Sequence, residues 1–399
     1  MNELQRILQA FSHSQQKGQR TALATVVQTQ GSVYRRPGAR MLLTEAGETI
    51  AAISGGCLEA DILARAQASI KEDSPPFVVR YDAMNHEEDI LLGFGLGCNG
   101  VVDVLVESLS AEATTRQLSF LEECLRSHQT GVIATVFAGE GVIGSRVMVK
   151  ADGSMINQIA DPNLAEIITA EAQKTLTKGK THSQSYPSPA GEVSVLFEAI
   201  SPPFPLLIFG AGYDAIPVVQ FAKQLGWQVT VIDHRGEYLN RDRFPQADQL
   251  LACKPDPPDS YQHLLTPETV AVVMTHRYVS DRAFLKNLIP SPVRYLGVLG
   301  PKHRMAKLWE DLAEDGVMAT VEQQQRVYNP IGLDIGTETP EEIALSIVAE
   351  IQTVISKRSG GCLRDRARSI HTPIAIRPPN PPGDGASNLK FPQGWGLGG

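Results

Sequence analysis

The chain has 399 residues, 42% of them hydrophobic and 20% charged, with a formal net charge of −8. That length exceeds one ordinary core and predicts two domains of a folded globular protein, while the acidic balance argues against nonspecific nucleic-acid binding. No run approaches the roughly 20 apolar residues that span a bilayer, and the five cysteines are scattered, with no CxxC pair to suggest a disulfide framework or structural zinc.

The N-terminus is polar, lacks the apolar core of a signal peptide, and predicts an amphipathic helix with Leu4, Ile7, Leu8 and Phe11 on one face. A cytoplasmic location is expected. Strand-like runs follow at 21–29, 39–44 and 49–54, the latter two joined by a turn at Glu45 to Glu48. Residues 57–73 predict a helix ended by Pro75-Pro76. Further strands are predicted at 77–82, 100–107, 131–138 and 193–200, with helices near 111–127 and 162–178. The polar stretch 179–191 predicts a loop, and no internal repeat is evident. The successive prolines of 201–205 suit a domain boundary, because they cannot continue a central strand.

Beyond the boundary the runs LLIFG, WQVTVID, DQLLA, VAVVMT and RYLGVLG alternate with helical stretches at 213–225, 280–289 and 302–314. Apolar runs alternating with amphipathic helices predict a parallel sheet covered on both faces. Thr339, Pro340 and Glu342 form a capping-box signature for a last helix reaching about Lys357. From Pro378 the chain is rich in Gly and Pro and predicts disorder. The expected class is α/β, with an N-terminal mixed α+β domain over 1–200, a Rossmann-type doubly wound parallel sheet over 205–358, and a tail over 359–399.

LLIFG runs directly into Gly210-Ala211-Gly212-Tyr213-Asp214-Ala215, a G-x-G-x-x-A turn between a strand and a helix. Gly210 permits the tight turn, Gly212 admits a pyrophosphate to the backbone, and Ala215 allows close helix packing. The helix start offers free N–H groups to an anion. Asp233, about twenty residues on, stands where an acid binds a ribose hydroxyl. Arg235 beside it reads equally as a phosphate partner or a solvated side chain. Three more loops are expected at the same sheet edge: Thr275 to Tyr278 with His276, Gly300 to Arg304 with Lys302, and Gly332 to Gly336. His276 alone reads as readily as a hydrogen-bonded structural residue.

In the first half, Gly31 to Arg40 with Ser54 to Glu59, and Gly93 to Gly100, each place a cysteine in or beside a glycine-rich turn. A thiol near a helix start is a candidate nucleophile, soft-metal ligand or sulfur acceptor; the alternative is a small buried hydrophobe. Arg35, Arg36 and Arg40 could clamp an anion, or could simply be solvated.

GSVYRRPGARMLLTEAGETIAAISGGCLEAD and GLGCNGVVDVLVE resemble the first module of the XdhC/CoxI family. GAGYDA, VIDHRGEY, VMTHRYVSDRAFL, YLGVLGPKHR and GLDIGTETPEEIALSIVAEI resemble its Rossmann module. The resemblance implies a factor that binds and protects the molybdenum cofactor, a phosphate-bearing pterin often extended to a dinucleotide, and assists its sulfuration and insertion into a xanthine dehydrogenase-type hydroxylase. It implies as partners the apo-hydroxylase and a sulfur donor such as a cysteine desulfurase; nucleic acid and membrane are not expected, and a homodimer is the default for this size. Carried over by position, Gly210, Gly212 and Asp233 would hold the phosphate or nucleotide end, and Cys57 and Cys98 the metal or dithiolene end. The chain departs from the family pattern at Tyr213, where relatives carry histidine, and at Cys362, where they carry serine. The enzyme alternative is an NAD(P)-dependent oxidoreductase on the same turn, with His276 as candidate base.

Overall fold

The computed structural model describes residues 3–83, 100–110, 112–140, 143–188, 191–255 and 257–366. Cys98 and the tail from Pro378 lie outside the described residues. The chain divides into two compact units, residues 1–206 with 222–229 and 246–248, and residues 207–221, 230–245 and 249–399.

The first unit begins with α1 (Glu3–Gln16), β1 (Thr21–Gly31), β2 (Arg40–Thr44), β3 (Thr49–Ala51), α2 (Glu59–Glu72), β4 (Phe77–Asp82) and β5 (Gly100–Ser108). These strands form an antiparallel sheet in the order β3-β2-β1-β5-β4. The chain then repeats the series: α3 (Glu112–Arg126), β6 (Gly131–Ala138), β7 (Arg146–Lys150), β8 (Met155–Asn157), α4 (Pro162–Lys178), β9 (His182–Ser188) and β10 (Gly191–Ile200). The second sheet has the matching order β8-β7-β6-β10-β9. The unit is therefore a duplicated α+β module, which corrects the reading that the chain holds no repeat. Gly38, Arg40, Gly47, Ile53 and Leu58 are matched at one constant spacing by Gly144, Arg146, Gly153, Ile159 and Leu164. Backbone bonds repeat too: Gly38 N–H donates to Val26 O at 2.8 Å, and Gly144 N–H to Val136 O at 2.9 Å. Few identities survive, because burial and backbone geometry constrain hydrophobicity more tightly than side-chain identity.

Strand alternation distributes the core. Ala22, Ala24 and Val26 of β1 pack on α2 through Ile62, Ala66 and Ile70, and Val132, Ala134 and Val136 of β6 pack on α4 through Ile168 and Ala172. The opposite faces meet in a shared core of Leu23, Leu42, Ile133 and Met148 with Ile7 and Phe11 of α1 and Leu118 and Leu121 of α3. Both faces are buried, so β1 and β6 read as continuous apolar runs. The stretch expected as a loop at 179–191 holds β9, paired antiparallel with β10. It reads as polar because it is an edge strand that buries chiefly Tyr186, and Pro187 is tolerated on an edge.

The Rossmann elements are β11 (Pro205–Phe209), α5 (Ala215–Gln224), β12 (Gln228–Asp233), β13 (Gln249–Ala252), β14 (Val270–Val273), α6 (Tyr278–Leu288), β15 (Tyr295–Val298), α7 (Lys302–Glu314), α8 (Val321–Gln325), β16 (Val327–Tyr328) and α9 (Pro340–Ser356). They form a six-stranded parallel sheet in the order β13-β12-β11-β14-β15-β16, as the alternation of strands and helices predicted. Leu207, Phe209, Ala271, Val273, Leu296 and Val298 share one face of the sheet with α6 and α7. The α9 capping box is present as expected: Thr339 Oγ1 accepts from Glu342 N–H, and Glu342 Oε2 accepts from Thr339 N–H at 2.9 Å. Chain order reverses direction across the β11–β14 pair, which makes the carboxyl ends of those two strands the switch point where such sheets bind ligands.

Candidate functional site

Gly210 closes β11 with φ at +127°, and a Cβ there would stand 2.4 Å from the Met274 carbonyl oxygen at the end of β14. Only glycine lets the two strand ends approach this closely. A Cβ on Gly212 would lie 2.5 Å from Asp214 Oδ1 and 3.6 Å from the His276 ring, so the turn and the β14 loop face one space. Ala215 is fully buried where α5 begins.

Asp233 is almost completely buried, and its carboxylate fastens the turn. Its oxygens accept from Ala211 N–H at 2.7 Å, Arg235 N–H at 2.9 Å, Arg235 Nε at 3.0 Å and Arg235 Nη2 at 2.7 Å. Burial pushes this carboxyl up, but the bonds from Arg235 and Ala211 outweigh it and hold its pKa below the ordinary aspartate value. A carboxylate has about four lone-pair positions, so none remains for the ribose hydroxyl that the sequence spacing assigned to it.

His276 adopts the left-handed conformation, φ +59°, rare for a residue other than glycine. Its Nε2 is 2.7 Å from Asp214 Oδ2. That bond raises the imidazole pKa, outweighing burial and the repulsion of Arg304. Beneath it, Thr275 Oγ1 donates to the buried Asp281, which also binds Arg304 Nη2 at 2.7 Å. Asp281 thereby ties the start of α7 to the end of β14. Lys302, the first residue of α7, is exposed and lines a groove of about 460 Å³ with Met305, Trp309, Met318, Val327 and Asn329. The Gly332 loop is clamped to α9, with Gly332 N–H donating to Glu350 Oε1 at 3.1 Å and Ser346 Oγ to Leu333 O at 2.6 Å.

The structure thus brings Gly210, Gly212, Asp233 and His276 to one edge. Two residues that connect them drew no role from the sequence. Asp214 lay inside the glycine motif at a position the motif leaves free. Asp281 sits inside α6, where its spacing from Thr275 means nothing until the β14 loop folds back.

In the first unit Cys57 is exposed and stands just before Leu58, the N-cap of α2. It borders a pocket of about 160 Å³ with Val33, Tyr34, Ile53, Tyr81 and Gly100. Ser54 Oγ accepts from the N–H groups of Gly56, Cys57 and Leu58 at 3.1, 3.2 and 3.2 Å. It donates in turn to Glu59 Oε2 at 2.5 Å. Burial pushes the Glu59 carboxyl up, yet the bonds from Ser54 and from neighbouring N–H groups prevail and hold it below the ordinary glutamate value. The N–H groups of this turn are therefore already taken by a hydroxyl, and the accessible thiol is its distinctive chemical feature.

The arginines separate. Arg36 is exposed on the loop after β1. Arg35 pairs with Glu3 and lines the Cys57 pocket. Arg40 is buried in the core and bound to Glu198 and to Gly38 O, a structural pairing in place of the expected anion clamp. Among the described residues no group of three or more His, Cys, Asp and Glu side chains is arranged to hold a metal ion, and no helix is long and apolar enough to cross a membrane.

A Rossmann sheet with a glycine turn at its switch point, in one chain with a duplicated α+β module that carries an accessible thiol, defines a two-part protein of the Rossmann class. Residues 206–351 match the XdhC Rossmann domain, and residues 14–82 match the XdhC and CoxI family. The chain is 31% identical over 351 residues to a Bacillus subtilis protein described as a probable xanthine dehydrogenase subunit, spanning 88% of this chain and 97% of that one. It is 28% identical over 245 residues to the Escherichia coli protein YqeB, spanning 44% of that longer chain. A crystal structure described as a xanthine dehydrogenase from Bacillus halodurans superposes with a TM-score of 0.73 at 28% identity, covering 90% of this chain and 97% of that one. The chain belongs to the XdhC and CoxI family.

Proposed function

We propose that this protein binds and protects the molybdenum cofactor and assists its sulfuration and insertion into a xanthine dehydrogenase-type molybdenum hydroxylase. The observation that carries the reading is the Gly210–Gly212 turn facing His276, in a chain that matches 97% of the length of a protein described as a probable xanthine dehydrogenase subunit. The donor set fits a phosphate: backbone N–H groups where α5 begins, and an imidazole whose charged form Asp214 stabilises. The Cys57 pocket, at about 160 Å³, is smaller than the roughly 300 Å³ of ordinary small-molecule sites. Its size suits a small group such as a transferred sulfur atom.

When bound, the cofactor supplies the molybdenum and dithiolene chemistry that the client enzyme uses. The residues of this chain bind and orient. His276 neutralises phosphate charge, Gly212 lets the backbone approach it, and Cys57 offers a soft ligand for molybdenum or an acceptor for sulfur. The client would be an apo-hydroxylase, with a sulfur donor such as a cysteine desulfurase as second partner. Within the NAD(P)-dependent oxidoreductase alternative, the NAD form draws less support, because Asp233 has no acceptor left for the ribose diol of NAD.

The test is elemental analysis of protein purified from molybdate-replete cells, with fluorescence detection of the oxidised pterin. Molybdenum and pterin in matching, near-stoichiometric amounts are expected. Neither present, together with tight NADH binding, would replace this reading with the oxidoreductase.

A further inference from the structure

The groove along α7 begins at the sheet edge that carries the phosphate turn. Lys302 opens α7 just after β15, and Asn329 follows β16, so both stand at the carboxyl ends of the strands. Asp281 holds this end in place, because it binds Thr275 of the β14 loop and Arg304 of α7 together. Lys302, Ala306, Trp309 and Ala313 recur every three or four residues and line the groove from one helix face. Ala306 and Ala313 are exposed and small, which leaves that face open. Met318 lines the groove from the segment after α7 and is 81% exposed. The volume of about 460 Å³ falls within the roughly 300–1,000 Å³ of small-molecule sites. A tryptophan with the thioethers of Met305 and Met318 suits the flat face of an aromatic ring.

The polar groups lie at the carboxyl end. Asn329 Nδ2 donates to Val298 O at 2.9 Å and to Gly300 O at 2.8 Å. Both amide protons are thus engaged, and the group Asn329 offers the groove is its carbonyl oxygen, an acceptor. Lys302 is exposed and brings an ammonium donor. A donor and an acceptor at one end of an apolar groove match a heterocycle whose edge carries N–H groups beside a carbonyl. The 2-amino-4-oxopyrimidine edge, common to pterin and guanine, is such a group; adenine lacks the carbonyl.

We propose that this groove receives the fused-ring end of the cofactor, with Lys302 donating to the ring carbonyl and Asn329 accepting from the ring N–H groups. The inference rests on the reading above that the Gly210–Gly212 turn holds the phosphate; the place of the ring is its addition.

Calorimetric titration of the full chain with neopterin, guanosine and adenosine tests it. The better of neopterin and guanosine should bind at least about tenfold more tightly than adenosine, the gain expected from one charged hydrogen-bonding group. Which of the two is preferred identifies the ring as pterin or guanine. Lys302→Met should remove the advantage over adenosine. Ala306→Leu, a change at an exposed helix position, should fill the groove and lower the affinity at least about tenfold, while inorganic phosphate binds it as tightly as wild type. Equal binding of the three, or a preference for adenosine, would overturn the recognition of the edge. Affinity unchanged in Ala306→Leu would overturn the place of the ring. Both results leave the phosphate turn standing wherever Gly212→Asp abolishes phosphate binding. Phosphate binding indifferent to Gly212→Asp would overturn the turn reading and this inference with it.

Discussion

Arg40 of the first repeat and Glu198 of the second form a buried, two-pronged ion pair, and Arg146 pairs with Glu107 with the modules exchanged, through the single bond from Nη2 to Oε2. Each arginine opens the second strand of its sheet and also donates to the carbonyl of a glycine two residues earlier, Gly38 at 3.1 Å and Gly144 at 2.6 Å. Each of those glycines has positive φ, 96° and 88°, and approaches the partner's glutamate. The two modules are thus tied reciprocally, and each pair checks the same register from opposite sides.

Removing one partner should be far worse than removing both. Arg146 and Glu107 are 1% and 0% exposed, so Arg146→Met strands a buried carboxylate and should cost about 3–5 kcal/mol. Arg146→Met combined with Glu107→Leu should recover most of that loss. Urea unfolding of wild type, single and double variants measures both. A double variant no more stable than the single would show that the brace contributes more than its desolvation costs.

Asp214→Asn should lower the His276 pKa, because Asp214 is the main cause of its rise. A raised folded pKa means the stabilisation is fully present below the unfolded value of about 6.5 and is lost as pH climbs through the folded value. Phosphate affinity should follow the same direction, falling as pH rises through that range. Titration of the imidazole by NMR, with phosphate binding measured across the same pH series, checks both.

The turn should be intolerant at Gly210 and acid-sensitive at Asp233. Gly210→Ala forces a side chain into positive φ and against Met274, so the loss should exceed about 1 kcal/mol. Asp233→Asn replaces an acceptor that two neighbours depend on and should cost about 1–3 kcal/mol at neutral pH. Because the Asp233 pKa is depressed, its contribution is complete above the unfolded value near 3.9 and disappears as pH falls below it. The wild type should therefore lose stability more steeply than Asp233→Asn on acidification, as unfolding curves at a series of pH values would record.

Cys57→Ala should weaken retention of molybdenum and spare pterin and nucleotide binding. The thiol is exposed and adds one long bond of 3.5 Å from Sγ to Ser54 Oγ, while the turn is held chiefly by Ser54 and Glu59 through backbone N–H groups, so the fold should survive. The molybdenum-to-pterin ratio of purified protein is the readout. An unchanged ratio would make the thiol a bystander.

Much of the architecture was legible from local signals. The Gly210 turn sits between a continuous apolar run and an amphipathic helix, and each flank has its own period. Thr339, Pro340 and Glu342 announce their helix through chemistry confined to one turn. The edge strand β9 was not legible, since its polarity is that of a loop and only pairing with β10 makes it a strand. The duplication escaped for a related reason: what repeats is burial and hydrogen bonding, and the identities that mark it, such as Arg40 with Arg146, are few.

The amino-acid sequence by itself determined most of the elements, the parallel Rossmann sheet, the glycines of the turn after β11 and the family, because these follow from periodicity and from local motifs. Only the tertiary structure decided what the charged side chains do. It turned Arg40 inward to Glu198, spent Asp233 on Ala211 and Arg235, and joined Asp214 to His276. A charge acts through its nearest opposite charge and its exposure to water, and of those partners only Arg235 is a near neighbour in the chain, the others lying more than twenty residues away.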